Sequence, residues 1–175
     1  MRCTWRLSVP LDILQCVVSE WLTARLARSI SGLVLDVGCG EGRHLPPGAI
    51  GIDVDADRLR VARGRSARVA VADARLLPFA DGRFDTVLAI RMLNATGAID
   101  ETLREIRRVL APAGRLLVCT RARRTDGVPP GASTIDRLDA DNGLERLRRL
   151  FPAVTMEREP GEERGALFLA RLTET

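Results

Sequence analysis

Residues 33–42 read Leu33-Val34-Leu35-Asp36-Val37-Gly38-Cys39-Gly40-Glu41-Gly42. The first five have the leucine and β-branched character of a short strand buried on both faces. Glycine then returns at every second position, which lets the backbone turn sharply and approach a ligand that any Cβ would push away. On its own such a turn is common punctuation after a strand. The segments around it give it weight.

Downstream, four more apolar runs bounded by turn or polar residues read as strands: Ala49 to Ile52, Val69 to Val71, Phe84 to Ile90 and Arg115 to Cys119. Helical spacing predicts helices over Asp57 to Arg65 and over Asp100 to Leu110, where Leu103, Ile106, Val109 and Leu110 share a face. Upstream, Leu14, Val17, Val18, Trp21, Leu22 and Leu26 form one stripe, predicting an amphipathic helix over Leu11 to Leu26 that stops at Ser31-Gly32. Beyond a loop over Asp126 to Ala132, a helix is expected over Ser133 to Leu150. Strands over Val154 to Arg158 and Ala166 to Leu172 follow, joined as a hairpin by Pro160-Gly161.

Alternation of strand and helix predicts an α/β fold, a doubly wound, mostly parallel Rossmann-like sheet of about seven strands with an antiparallel C-terminal hairpin edge. Pro46-Pro47 stands where the first crossover helix would run, and proline removes helix donors and clashes with the preceding turn. That helix is therefore expected to be short or missing.

The chain has 175 residues, 46% hydrophobic and 29% charged, which suits one domain with a proper core. All of its cationic side chains are arginine. The net charge of +4 admits an anionic or nucleic-acid partner, but aromatics at 3% leave little for a base-stacking platform, so nucleic acid is the less favoured partner and stays open. Cys3, Cys16, Cys39 and Cys119 have neither CxxC spacing nor disulfide-scaffold density, pointing to reduced thiols, a cytoplasmic location and no metal site. Asp12, Gln15 and Glu20 interrupt the N-terminal apolar stretch, so no membrane span is expected.

Three aspartates close successive strands: Asp36 in the first, Asp53 in Gly51-Ile52-Asp53 and Asp73 in Val71-Ala72-Asp73-Ala74. Open α/β sheets bind ligands at the carboxyl ends of their strands, and a carboxylate after the second strand can accept hydrogen bonds from two ribose hydroxyls. Asp55 and Asp57 precede a helix and suit capping, which leaves Asp53 freer for a ligand. The constellation points to a nucleoside-containing ligand.

LDVGCGEGRH, GIDVDADRL, VADARLLPFADGRFDTVLA and EIRRVLAPAGRLLV, spanning about Leu33 to Thr120, resemble the class I S-adenosylmethionine-dependent methyltransferases, especially the type 11 methyltransferase domain. The resemblance implies S-adenosylmethionine as cofactor, with Gly38, Cys39 and Gly40 against its methionine part and Asp36 near its amino group. It further implies Asp53 on the ribose, Asp73 with the Ala74 amide on the adenine, and Ile90 lining the cofactor. One methyltransferase domain over 1–175 is expected, as an N-terminal helical segment 1–31, a cofactor-binding core 33–120 and a C-terminal helix and hairpin 121–175. Such transfer rests on positioning, so no catalytic side chain is assigned.

The acceptor is expected to be a small molecule, and no oligomeric state follows from the sequence. Arg91-Met92-Leu93-Asn94-Ala95 replaces the His-containing segment of many relatives, and it lacks the motif of methyltransferases acting on base or amide nitrogens. Arg91, Asn94 and His44 are candidate substrate contacts; the bland alternative for Arg91 and Asn94 is polar loop residues, and His44, the sole histidine and a candidate base, has a satisfied structural group as its alternative. Cys39 is read as a small packing residue. Arg121, Arg123 and Arg124 could meet an anion, although solvated charge explains them. Two other functions compete. One is a non-catalytic cofactor-binding or interaction protein on a degenerate methyltransferase fold; the other is an NAD-dependent dehydrogenase, against which Arg43 replaces the last glycine of GxGxxG.

Overall fold

A computed structural model describes residues 20–64, 68–120, 138–160 and 166–173. Seven strands form one sheet: β1 (Val34–Val37), β2 (Ile50–Asp53), β3 (Val69–Val71), β4 (Phe84–Ile90), β5 (Leu110–Thr120), β6 (Ala153–Arg158) and β7 (Ala166–Arg171). Their order is β3-β2-β1-β4-β5-β7-β6. The first five run parallel, and β7 pairs antiparallel with both β5 and β6. The chain winds outward from β1 to β3, then restarts at β4 on the other side of β1. This is the topological switch at which doubly wound sheets open a crevice.

Helices α1 (Glu20–Ser29), α2 (Ala56–Arg63), α3 (Ile99–Val109) and α4 (Gly143–Arg148) cover the sheet. Ile99, Leu103, Ile106 and Val109 of α3 are buried in the larger core with Leu35, Val87 and Leu116. Burying each such side chain contributes about 2 kcal/mol. The opposite face holds α1, whose Leu22 and Leu26 meet Val34, Leu88 and Leu117. Leu59 and Ala62 of α2 pack on Cys39 and Val69. Asp55 caps α2, its carboxylate accepting from the amides of Asp57 and Arg58.

The link from β1 to β2 contains no helix. It is a chain of tight turns, with the Gly42 amide donating to the Cys39 carbonyl at 2.9 Å, Leu45 to Gly42 at 3.3 Å and Ala49 to Pro46 at 3.1 Å. Pro46-Pro47 blocks helical bonding there, and Leu45 and Ala49 from the turns pack into the α1-side core.

Two expectations about helices need correction. The N-terminal helix runs to Ser29 rather than Leu26, and residues 11–19 of its expected span lie outside the described residues. The helix expected over Ser133 to Leu150 is reduced, among the described residues, to the six residues of α4. Before it, the Asp139 carboxylate accepts from the amides of Asp141 and Asn142 at 2.9 and 3.1 Å, while Asn142 Oδ1 accepts from the Asp139 amide at 3.1 Å. These side-chain bonds offer the backbone an alternative to helix. Ser133, the loop over Asp126 to Ala132, and Gly161 of the hairpin tip lie outside the described residues. Among the described residues, no helix is long and apolar enough to cross a membrane.

Candidate functional site

A cleft of about 630 Å3 opens at the carboxyl ends of β1 to β4. Gly38, Cys39, Gly40, Asp53, Asp73, Ala74 and Ile90 all line it, as do His44 and Arg91. Asp36 and Asn94 do not.

At the head of the glycine turn the backbone takes φ values of +68° at Gly38 and +53° at Gly40. At Gly38 a Cβ would also fall 2.6 Å from the Met92 Cβ, so both dihedral and space require glycine. The Gly40 amide donates to Asp53 Oδ2 at 2.8 Å, and the Cys39 amide to the Ile52 carbonyl at 2.9 Å. Asp53 Oδ1 accepts from the Asp55 amide at 2.9 Å. Asp53 therefore braces the turn as well as facing the cleft.

Asp36 lies in the middle of the sheet, beside Gly51 of β2 and Leu88 of β4. It is 2% exposed and its Oδ2 has no hydrogen-bond partner among the described residues. Burial, with the Asp53 charge adding to it, pushes its carboxyl up to about 7. Cys39 is pushed up to about 12 by burial and by Asp36 and Asp53, so its thiol is protonated and serves packing, as the sequence predicts.

At the outer end, Asp73 and Arg75 form a bidentate pair with a closest approach of 2.6 Å, and the Arg75 amide donates to Asp73 Oδ1. Hydrogen bonding from Arg75 holds the Asp73 carboxyl below its usual range. His44 is half-buried, and desolvation followed by the nearby Arg91 and Arg43 charges pushes it down to about 4.

Asn94, expected as a candidate substrate contact, is committed elsewhere. Its Nδ2 donates to the Leu138 carbonyl at 3.0 Å and its Oδ1 accepts from the Leu138 amide at 2.8 Å, tying the turn after β4 to the approach to α4. No residue of α1 lines the cleft; Trp21 packs beside the α1-side core with the Arg25 guanidinium 5.7 Å from its ring centroid. Arg121, Arg123 and Arg124 lie outside the described residues. Three residues escaped the sequence reading: Met92, which fills the space beside Gly38, Arg75, which engages Asp73, and Glu159, buried against Arg91. The Arg75 pairing had a sequence signal, since Asp-Ala-Arg places opposite charges two residues apart beyond a strand. The Glu159 contact spans too much chain to be read in advance.

Sheet order, switch-point cleft and glycine turn define a class I S-adenosylmethionine-dependent methyltransferase fold. Residues 35–118, just under half of the chain, match the family model described as methyltransferase domain. The chain is 39% identical over 116 residues to methyltransferase GfsG of Streptomyces halstedii, an alignment covering 58% of this chain and 42% of that protein. It is 35% identical over 130 residues to the ubiquinone/menaquinone biosynthesis C-methyltransferase UbiE of Pseudomonas fluorescens, covering 61% and 50%. The chain thus spans half or less of the length of these curated relatives. Among solved structures it resembles the 4+2 cyclase SpnF, with a TM-score of 0.58 and 32% identity over 78% of this chain and 58% of that one. PH0226 of Pyrococcus horikoshii shares the fold, with a TM-score of 0.65 and 21% identity over 88% and 92%.

S-adenosylmethionine is the cofactor of this class, and the residues present fit it. An ammonium suits the buried Asp36 oxygen that has no partner among the described residues, and the cleft offers the Asp53 carboxylate to hydroxyl donors.

Proposed function

We propose that the chain transfers a methyl group from S-adenosylmethionine to a small-molecule acceptor. The observation that carries this reading is Asp36: an acid buried in mid-sheet behind a glycine turn is costly unless a cation completes it. On this reading Gly38, Cys39 and Gly40 flank the methionine part and Asp53 holds the ribose. Asp73 with the Ala74 amide meets the adenine, and Ile90 lines the cofactor.

When bound, the cofactor would supply an electrophilic methyl carbon for the acceptor's nucleophile, with a neutral thioether as the leaving group. What this chain contributes is alignment. The braced glycine turn fixes one wall, and the end of β4 fixes the other. The sheet, the turns and the C-terminal hairpin form one methyltransferase domain, with no separate substrate-binding unit among the described residues, so the acceptor meets short loops at the strand ends. The names of similar proteins include a ubiquinone/menaquinone biosynthesis C-methyltransferase and a 4+2 cyclase, so resemblance alone does not set the product.

The test is incubation with methyl-labelled S-adenosylmethionine and a fractionated metabolite extract, with calorimetry of cofactor binding alongside. Cofactor binding together with a labelled small molecule is the expected result. Tight binding with no labelled product from any fraction defeats the transferase reading.

A further inference from the structure

We propose that Arg91, turned toward the cleft by a left-handed backbone and backed by the buried Glu159, anchors a carboxylate group of the acceptor; this rests on the methyltransferase reading above.

Among the described residues Arg91 is the one non-glycine residue with positive φ, at +59°. That conformation costs roughly 1–2 kcal/mol for a side chain of this kind, and such strain gathers where a side chain has to be aimed. The Arg91 amide donates to the Cys119 carbonyl at 2.8 Å, locking the residue between the ends of β4 and β5. It directly follows Ile90 and lines the cleft at the end of β4.

The surroundings of the guanidinium identify what it would take. Its Nη2 is 3.5 Å from Glu159 Oε1, longer than a good charge-assisted hydrogen bond, with the two side chains 18% and 4% exposed. Its Nε is buried without a hydrogen bond among the described residues. Two other cleft arginines are more tightly matched: Arg43 lies 2.9 Å from Glu41 and Arg75 2.6 Å from Asp73. Arg58 belongs to α2 and is mostly exposed.

On the β1 to β3 side of the cleft Glu41, Asp55 and Asp73 are each paired with Arg43, Arg58 or Arg75, whereas Arg91 faces it from the end of β4. A cationic sulfonium beside an arginine is repulsive. Glu159 offsets part of that from behind, and a planar anion in front would complete the arrangement. A guanidinium fork matches a carboxylate in two parallel hydrogen bonds.

The test uses the protein saturated with S-adenosylhomocysteine and titrated by NMR with matched carboxylate and carboxamide pairs: acetate and acetamide, benzoate and benzamide, indole-3-acetate and its amide. Carboxylates should bind at least about tenfold more tightly than their amides in one or more pairs. Arg91→Met should abolish that preference. Because it removes a cation from beside the buried Glu159, the double variant Arg91→Met/Glu159→Gln is measured too and should behave alike while keeping S-adenosylhomocysteine affinity within about twofold of wild type. Absence of carboxylate preference in every pair, or its survival in the double variant, overturns the proposal. So does a large loss of S-adenosylhomocysteine affinity, which would assign Arg91 to the cofactor's own carboxylate. Failure of wild type to bind S-adenosylhomocysteine overturns the methyltransferase reading itself, and this proposal with it.

Discussion

Asp53 Oδ2 accepts the Gly40 amide at 2.8 Å, so the carboxylate that closes β2 also holds the glycine turn that closes β1. The other oxygen accepts the Asp55 amide at 2.9 Å, at the entrance to α2. Asp53→Ala should therefore weaken the protein as well as the cofactor site. The loss of two carboxylate acceptors should cost about 1–2 kcal/mol in urea denaturation. Calorimetry should show a cofactor affinity lower by tenfold or more. Equal cofactor binding by both proteins would remove Asp53 from the ribose, whatever the stability change.

Glycine placement separates two strains that look alike in sequence. Gly38 has φ +68° and a substituted Cβ would collide with Met92, while Gly40 has φ +53° and its nearest obstacle is the Arg58 side chain at 3.6 Å. Gly38→Ala should cost about 2–4 kcal/mol, combining dihedral strain with overpacking. Gly40→Ala should cost about 1 kcal/mol, from the dihedral alone. Thermal melts of the two variants check the order. A Gly40 variant the less stable of the two would mean that the turn repacks around Met92.

Much of this was legible because it depends on short-range patterning. Strand runs of β-branched and leucine residues, the α3 stripe and the Pro46-Pro47 interruption each state their structure locally. The same locality explains the α4 misreading: helical spacing of apolar residues continues through 138–150, but Asp139 and Asn142 bind the backbone first. In the site, Asp53 and Asp73 could be placed at the strand ends from order alone, whereas Asp36 lies within β1 and outside the cleft lining. The commitment of Asn94 to Leu138, across 44 residues, and the meeting of Arg91 with Glu159 arise from packing of β4 and the end of β6 against their neighbours. No local pattern encodes either contact.

Asp73 faces the cleft already engaged by Arg75, and both side chains are largely solvated, so the pair contributes little to stability. If Asp73 meets the adenine amino group, Arg75 competes for the same oxygens. Arg75→Met should raise affinity for S-adenosylmethionine several-fold and leave the melting temperature unchanged. Weaker binding would instead make Arg75 a direct contact to the cofactor.

Asp36 gives the protein a pH dependence with a definite sign. Its carboxyl is pushed from an ordinary 3.8 to about 7, chiefly by burial and then by the Asp53 charge. Between those two values the folded chain holds a proton that the unfolded chain has released, so this group makes stability fall as pH rises from about 4 to 7. The accumulated loss is on the order of a few kcal/mol. Asp36→Asn should flatten that slope and make the cofactor-free protein more stable than wild type at pH 8. Cofactor binding should run the opposite way, because an ammonium favours the ionised carboxylate: affinity should rise through pH 7, with proton release on binding at pH 6 visible in calorimetry across buffers of different ionisation enthalpy. In Asp36→Asn affinity should be at least about tenfold lower at pH 8, and the proton release should vanish. If the variant binds as tightly as wild type at pH 8, Asp36 does not hold the ammonium, and the cost of burying it lacks the cation proposed to offset it.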